Sequence, residues 1–251
     1  MLLKPKTSAE DAPELKKIDV SHSIRFKAKE GEYEIYSPNN EEKKSKVKTI
    51  NFIFGSDSRF TVQGAAPVKG VSIFAGSYNS PKQTITVFKK SGDSKTTVAD
   101  KGTWEELKDI GKYKYTKLVH GLLETKQGYE PAVIELKGLG ISQFDKIKDG
   151  GTDGVVTLGV SVEPDYETPH GKFYSMVNLG SKELTTEQET VANDFAQELE
   201  ESYQSEDERY KFFKNTSNQI DLEEGAATSS DEIEQANAEY QSEVNPEDIP
   251  F

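Results

Sequence analysis

The chain contains no cysteine, which excludes a disulfide framework and any thiolate-held metal centre. That absence fits a reducing compartment such as the cytoplasm. Long apolar runs are missing too. No stretch approaches the ~20 apolar residues that cross a bilayer as a helix. Met1-Leu2-Leu3-Lys4-Pro5-Lys6 lacks the apolar core of a secretory signal, so none is expected. Histidine is scarce: His22, His120 and His170 stand far apart and match no metal-ligand spacing. His22 and His120 fall in strand-like runs, where packing is the expected role. There is no GxxxxGK[ST] phosphate loop and no GxSxG nucleophile elbow. Asp149 to Gly154 is only loosely like a calcium loop. It lacks the later bidentate glutamate, so a turn is expected. No metal, cofactor or catalytic residue is expected, and the chain reads as a binding protein rather than an enzyme.

Basic residues are also missing, but only locally. Of the 251 residues, 1–180 hold 27 Lys and Arg against 24 Asp and Glu, a net of +3. Residues 181–251 hold 4 against 20, a net of −16. The overall charge of −13 therefore hides a near-neutral to basic body and an acidic tail. A polyanionic ligand remains open to the body. From Asn215 onward there are ten acids and no Lys or Arg. So few apolar residues cannot offset the entropy of ordering, and this tail is expected to be disordered.

What is present is β-patterned. Residues 1–19 read as a mobile arm. From Val20 to Lys29, Val20, His22, Ile24, Phe26 and Ala28 share one face and Arg25, Lys27 and Lys29 the other. That is the period of a strand with an apolar and a basic side. Further strands are expected at 32–36, 47–54, 59–65, 71–78 and 84–89, separated by Gly, Pro, Asn and Asp turns. Glu41 to Lys48 reads as a charged run and 91–102 as a polar connection. Thr103 and Glu106 have capping-box spacing for a short helix stopping at Gly111. Strands follow at 113–123, 132–137, 155–163 and 172–179, with a helical turn or two at 141–147. From Thr186 the period becomes helical. A Thr186–Glu189 capping box precedes Val191, Phe195, Leu199 and Tyr203 on one face. That helix can pack on the body or mediate self-association.

Aromatic residues alternate with lysines in this body. Arg25 and Lys27, then Tyr33 and Tyr36, form one group. Trp104, Lys112, Tyr113, Lys114, Tyr115 and Lys117 form the densest. Single-stranded nucleic acid is held by bases stacked on aromatic faces and by cations along the phosphates, so these ten residues are the candidate groove. Phe52, Phe54, Phe74 and Phe173 are assigned to the core.

The chain closes on Glu247-Asp248-Ile249-Pro250-Phe251. Pro250 biases Ile249 towards extended backbone, which lowers the entropy lost on docking. Phe251 offers a ring and a carboxylate on one residue, a pair that suits an apolar pocket rimmed by arginine. Asp248-Ile249-Pro250-Phe251 after a long acidic run resembles the tip of bacterial single-stranded DNA-binding proteins. The layout is similar to phage-encoded versions, in which a diverged barrel carries an acidic tail ending in an aromatic residue.

The resemblance implies coating of exposed strands during replication, recombination or repair, in the cytoplasm of a bacterial host. It also implies recruitment of partner enzymes through the tip. The expected architecture is mainly β: an elaborated OB-fold (a Greek-key β-barrel) at 20–183, a helical segment at 184–214 and the acidic tail at 215–251. Two other classes stay open. One is a replisome adaptor that carries the tip but binds no DNA. The other is a structural or virion β-protein.

Overall fold

A computed structural model describes residues 13–37, 40–55, 58–64, 71–75, 78, 80, 82–91, 97–169 and 171–220. The first residues of the expected arm, several expected turns, His170 and the tail from 221, including Glu247, Asp248, Ile249, Pro250 and Phe251, lie outside them. The protein is mainly β, with 48% of the described residues in strands. It divides into two compact units, neither continuous in sequence. One comprises 17–59 and 116–202. The other comprises 60–115, 203 onward and the first 16 residues. The single body expected at 20–183 is thus two units, and their borders fall inside a strand and inside a helix.

The unit of 17–59 and 116–202 begins with β1 (His22–Lys27), β2 (Glu32–Ser37), β3 (Asn40–Val47) and β4 (Ile50–Phe54). The sequence read 41–48 as a charged run. It is instead the edge strand β3, paired to β2 from Tyr33↔Val47 to Ser37↔Asn40. An exposed edge tolerates lysines and glutamates because only one side of it is paired. The hairpin beyond comprises the later part of β9 (Tyr113–Thr125) and β10 (Gly128–Leu136). The helix α2 (Leu139–Asp149), β11 (Val155–Val160), a small hairpin β12 (Tyr166–Thr168) and β13 (Gly171–Phe173), and β14 (Met176–Lys182) follow. The strand order is β3-β2-β1-β10-β9-β4-β11-β14. β1 and β10 are parallel; the other pairs are antiparallel.

Alternating residues drive this sheet's inner face together. Ile24, Phe52, Ile134, Val156 and Leu158 are fully enclosed and pack with Phe144 and Ile147 of α2. Each such side chain contributes about 1.5–3 kcal/mol by leaving water. The sheet curls strongly enough that Tyr33 of β2 donates its hydroxyl hydrogen to the Gly159 carbonyl of β11 at 2.9 Å. β9 passes close to its neighbour at Gly121, where a Cβ would overlap the Ile53 carbonyl oxygen and the Phe52 ring.

The second unit is built on a meander of β5 (Arg59–Gly64), β6 (Val71–Ala75), β7 (Ile85–Ser91) and β8 (Thr97–Gly102). β8 lies where a polar connection was expected. Lys89↔Thr97 and Ile85↔Gly102 pair it to β7. α1 (Trp104–Lys108) follows, and the first three residues of β9 belong here.

α3 (Thr186–Ile220) is one helix and runs past the expected limit at 214. Its capping box sits one residue earlier than the sequence suggested. Thr185 Oγ1 accepts the Gln188 N–H at 3.3 Å, and Gln188 Oε1 accepts the Thr185 N–H at 2.9 Å. In the first unit Phe195 and Leu199 are buried over Gly55. In the second, Tyr210 packs edge-on against Tyr78 and Phe88, and its hydroxyl accepts the Thr86 N–H at 2.9 Å. Among the described residues no helix is long and apolar enough to cross a membrane.

Candidate nucleic-acid interface

The second unit places two of the expected rings together and adds a third. Thr103 caps α1, accepting the Glu106 N–H at 3.4 Å while the Glu106 carboxylate accepts the Thr103 N–H at 2.6 Å. Leu107, buried to 1% exposure, anchors the helix from beneath. This fixes Trp104, the first helical residue, over Tyr115. The two rings stack at 4.8 Å with 20° between their planes. Tyr115 stacks in turn on Phe60 at 5.0 Å and 15°. Phe60, Tyr115 and Trp104 therefore form a continuous three-ring pile. Phe60 is buried at one end, and Tyr115 and Trp104 are half-buried. Phe60 was not foreseen. Its position in an expected strand was visible, but nothing local tied it to Tyr115, which lies 55 residues away by number.

Tyr113 lies on the same side of β9 as Tyr115, two residues apart. It is buried and donates its hydroxyl hydrogen to the Asp100 carboxylate. Burial, then this bond and the carboxylate's charge, push its pKa up, so the phenol stays protonated. Tyr113 is thus tied to Asp100 of β8 and offers no face of its own. Lys114 alternates to the opposite face. The dense lysine–tyrosine patch of the sequence is therefore divided between two sides of the strand. Lys112 and Lys114 are half-buried.

The remaining candidates belong to the first unit and are largely engaged internally. Tyr33 is fully buried and bonded to Gly159, and burial drives its pKa up. It is a core residue, which corrects the expectation that it faces a ligand. The cause is register: Tyr33 pairs with Phe26 on the inner face, their centroids 5.3 Å apart. Tyr36 alternates outward yet is only 3% exposed. The Arg25 guanidinium covers its ring at 4.4 Å. Arg25 Nε and the Tyr36 hydroxyl both donate to Glu135, at 3.0 and 2.9 Å. Lys27 and Lys44 flank Glu34, each at 3.7 Å, and Lys46 pairs with Glu32 at 2.5 Å. The basic face read from β1 is thus interleaved with acids contributed by β2 and β10.

Lys117 is a second correction. Its side chain is 5% exposed, paired with Asp145, and it lies 5.2 Å over the Phe144 ring. It fastens α2 to β9. His22 and His120 both lie in strands. His22 pairs with Glu130 at 3.1 Å, and burial lowers the His120 pKa to about 4. Among the described residues no cluster of three or more His, Asp or Glu side chains could hold a metal.

No protein-family model, no curated protein and no solved structure matches this chain.

Proposed function

We propose that the protein binds single-stranded DNA without strong sequence preference, and that it acts in replication, recombination or repair in a bacterial host cytoplasm. The observation that carries this reading is the Phe60–Tyr115–Trp104 pile. A pile of parallel rings ending in a half-buried indole is a pre-formed surface on which a base continues the stack. Every base has a π-face, so such a surface is tolerant of sequence, and one stacked base is worth ~1–3 kcal/mol. Lys112 and Lys114 fall on the opposite side of the strand from Tyr115, so the ring pile carries the reading and these lysines take second place. Arg25, Lys27 and Tyr36 also take second place, because the two cations are already matched by Glu135 and Glu34 and the Tyr36 ring is covered by Arg25. The OB-like description of the body belongs to this proposal, as does its role as a binding protein rather than an enzyme.

The tail supports the reading from the sequence side. Its ten acids can compete weakly with DNA for cations at low salt. Its Asp248-Ile249-Pro250-Phe251 ending suits recruitment of partner enzymes.

The test uses the single tryptophan. Titrating the intact protein with an oligothymidylate should quench Trp104 fluorescence. Binding should outcompete duplex, and log affinity should fall with log salt at about −0.7 per phosphate neutralised. A preference for duplex, or affinity indifferent to salt, refutes the proposal and leaves the adaptor or structural reading.

A further inference from the structure

The first unit has an open cleft of about 780 Å³, within the size range of ligand sites. Lys146 of α2, Asp153, Asn178 of β14 and Tyr166 of β12 line it. Gly151 and Gly180 line it too, and a Cβ at either would meet nothing within 4 Å, so bare backbone is open to a flat ring. Tyr166 belongs to the β12–β13 hairpin, which forms a sheet of its own. Two strands alone are only marginally stable, and this pair is held at its base. Tyr174 N–H donates to the Ala28 carbonyl at 2.8 Å, and Asp165 N–H to the Phe173 carbonyl at 3.0 Å. The Tyr174 ring lies against Gly31, where a Cβ would come within 2.8 Å of it. Tyr166 and Phe173 stand directly opposite each other, so they share one face of the hairpin. Glu167 and Lys172 pair on the other. Phe173 was expected in the core. It is half-buried, because its strand lies outside the main sheet. Lys29 Nζ stands 5.6 Å from the centroid of its ring.

We propose that this cleft takes one unpaired base of a single strand, stacked on Tyr166 beside Phe173. The lining supplies each part of a nucleotide with a partner. The Asp153 carboxylate accepts an N–H from the base edge. Every base carries such an N–H on its Watson–Crick edge, and pairing in a duplex uses it up, so the contact suits any base that is unpaired. Asn178 Oδ1 is held by the Gly180 N–H at 2.8 Å, which leaves the amide nitrogen of Asn178 to donate to a base carbonyl. Lys146 on α2 and Lys29 beside Phe173 are both exposed and supply charge for the flanking phosphates. Aromatic face, edge contacts and cations are the parts that single-strand sites combine. This inference rests on the single-strand reading and gives the first unit a stacking site separate from the ring pile.

A fluorophore moved to the hairpin tests it. In the full chain, Trp104→Phe removes the native signal and Phe173→Trp places one beside Tyr166. Anisotropy of a labelled oligothymidylate follows binding independently. The hairpin indole should be quenched as the strand saturates the protein. In the otherwise native chain, Tyr166→Ala should raise Kd roughly 5- to 150-fold, the loss of one stacked base. Lys146→Gln should make the slope of log affinity against log salt shallower by about 0.7, one phosphate contact. A bound strand that leaves the hairpin indole unquenched overturns the proposal, as does a folded Tyr166→Ala protein with unchanged Kd. Either result leaves the ring pile as the single-strand site. Equal quenching by free thymidine 5′-monophosphate at the same concentration would assign the cleft to a free nucleotide and overturn the proposal too. No binding of the strand at all would overturn both this proposal and the single-strand reading, so the two failures are told apart.

Discussion

Replacing Trp104 with alanine removes the last ring of the Phe60–Tyr115–Trp104 pile and should weaken single-strand binding far more than it weakens the fold. One aromatic pair is lost, worth about 0.5–1.5 kcal/mol, together with the partial burial of one indole. Phe60 and Tyr115 remain stacked, and alanine is well suited to the first turn of α1. Total destabilisation should stay below the ~3–5 kcal/mol of a fully buried Trp→Ala change. On the ligand side one stacked base is lost, about 1–3 kcal/mol, or roughly 5- to 150-fold in Kd. Fluorescence anisotropy with a labelled oligothymidylate, at fixed low salt, reads that ratio, and urea denaturation reads the stability. Trp104→Phe should recover much of the affinity, since a ring stays in place. Tyr115→Leu should lose as much affinity as Trp104→Ala, because the indole then has nothing parallel beneath it. A folded Trp104→Ala protein that binds with unchanged Kd refutes the assignment of the pile to DNA.

Lys117→Met should lower the urea midpoint while leaving oligonucleotide affinity within about twofold, because the ammonium is committed to Asp145 and Phe144 and its loss unpins α2. Gly121→Ala should be among the most damaging single changes, at about 3 kcal/mol or more, since its methyl overlaps the Ile53 carbonyl and the Phe52 ring; thermal melting or loss of soluble expression reads it. His120 should make the protein acid-sensitive. Its folded pKa lies near 4 against 6.5 unfolded, so below pH 6.5 the unfolded chain takes up a proton that the folded one refuses. Stability is fully present above pH 6.5 and falls towards pH 4, by at most about 3 kcal/mol. Denaturation midpoints across that window should fall less steeply in His120→Gln. Deleting residues 221–251 should tighten DNA binding at low salt, with a gain that shrinks as salt rises; a constant gain would show that charge is not the cause.

Much of the β pattern was readable because a half-buried strand writes its period into the chain. Ile24 against Arg25, and Val156 and Leu158 against Thr157, alternate as a one-sided sheet requires. The Thr103–Glu106 box was readable because both of its partners lie within one turn. β3 and β8 were not. Edge strands bury little, and their polar residues carry no alternation. The parallel pairing of β1 with β10 joins residues about a hundred positions apart, which no local pattern encodes. At the candidate site, Trp104 and Tyr115 were identified as rings, but their mutual stacking and its extension to Phe60 depend on where β5, α1 and β9 meet. Tyr33 and Lys117 were misassigned for one reason. Composition marks a residue as aromatic or cationic, and only register decides whether it turns inward.

The bond from Thr86 to the Tyr210 hydroxyl links residues 124 positions apart. A ribosome makes the whole β5–β8 meander, α1 and Tyr115 long before it reaches Tyr210. Until then β7 lacks the ring that lies against Tyr78 and Phe88. This unit must therefore wait for its last contributor while its own apolar residues stay exposed, and contacts of such long separation close slowly. A chain released early, short of α3, would carry every residue of the ring pile and still lack part of the unit that supports it. Completion of synthesis thus acts as a checkpoint, and newly made chains are where chaperone dependence and aggregation of this protein should concentrate.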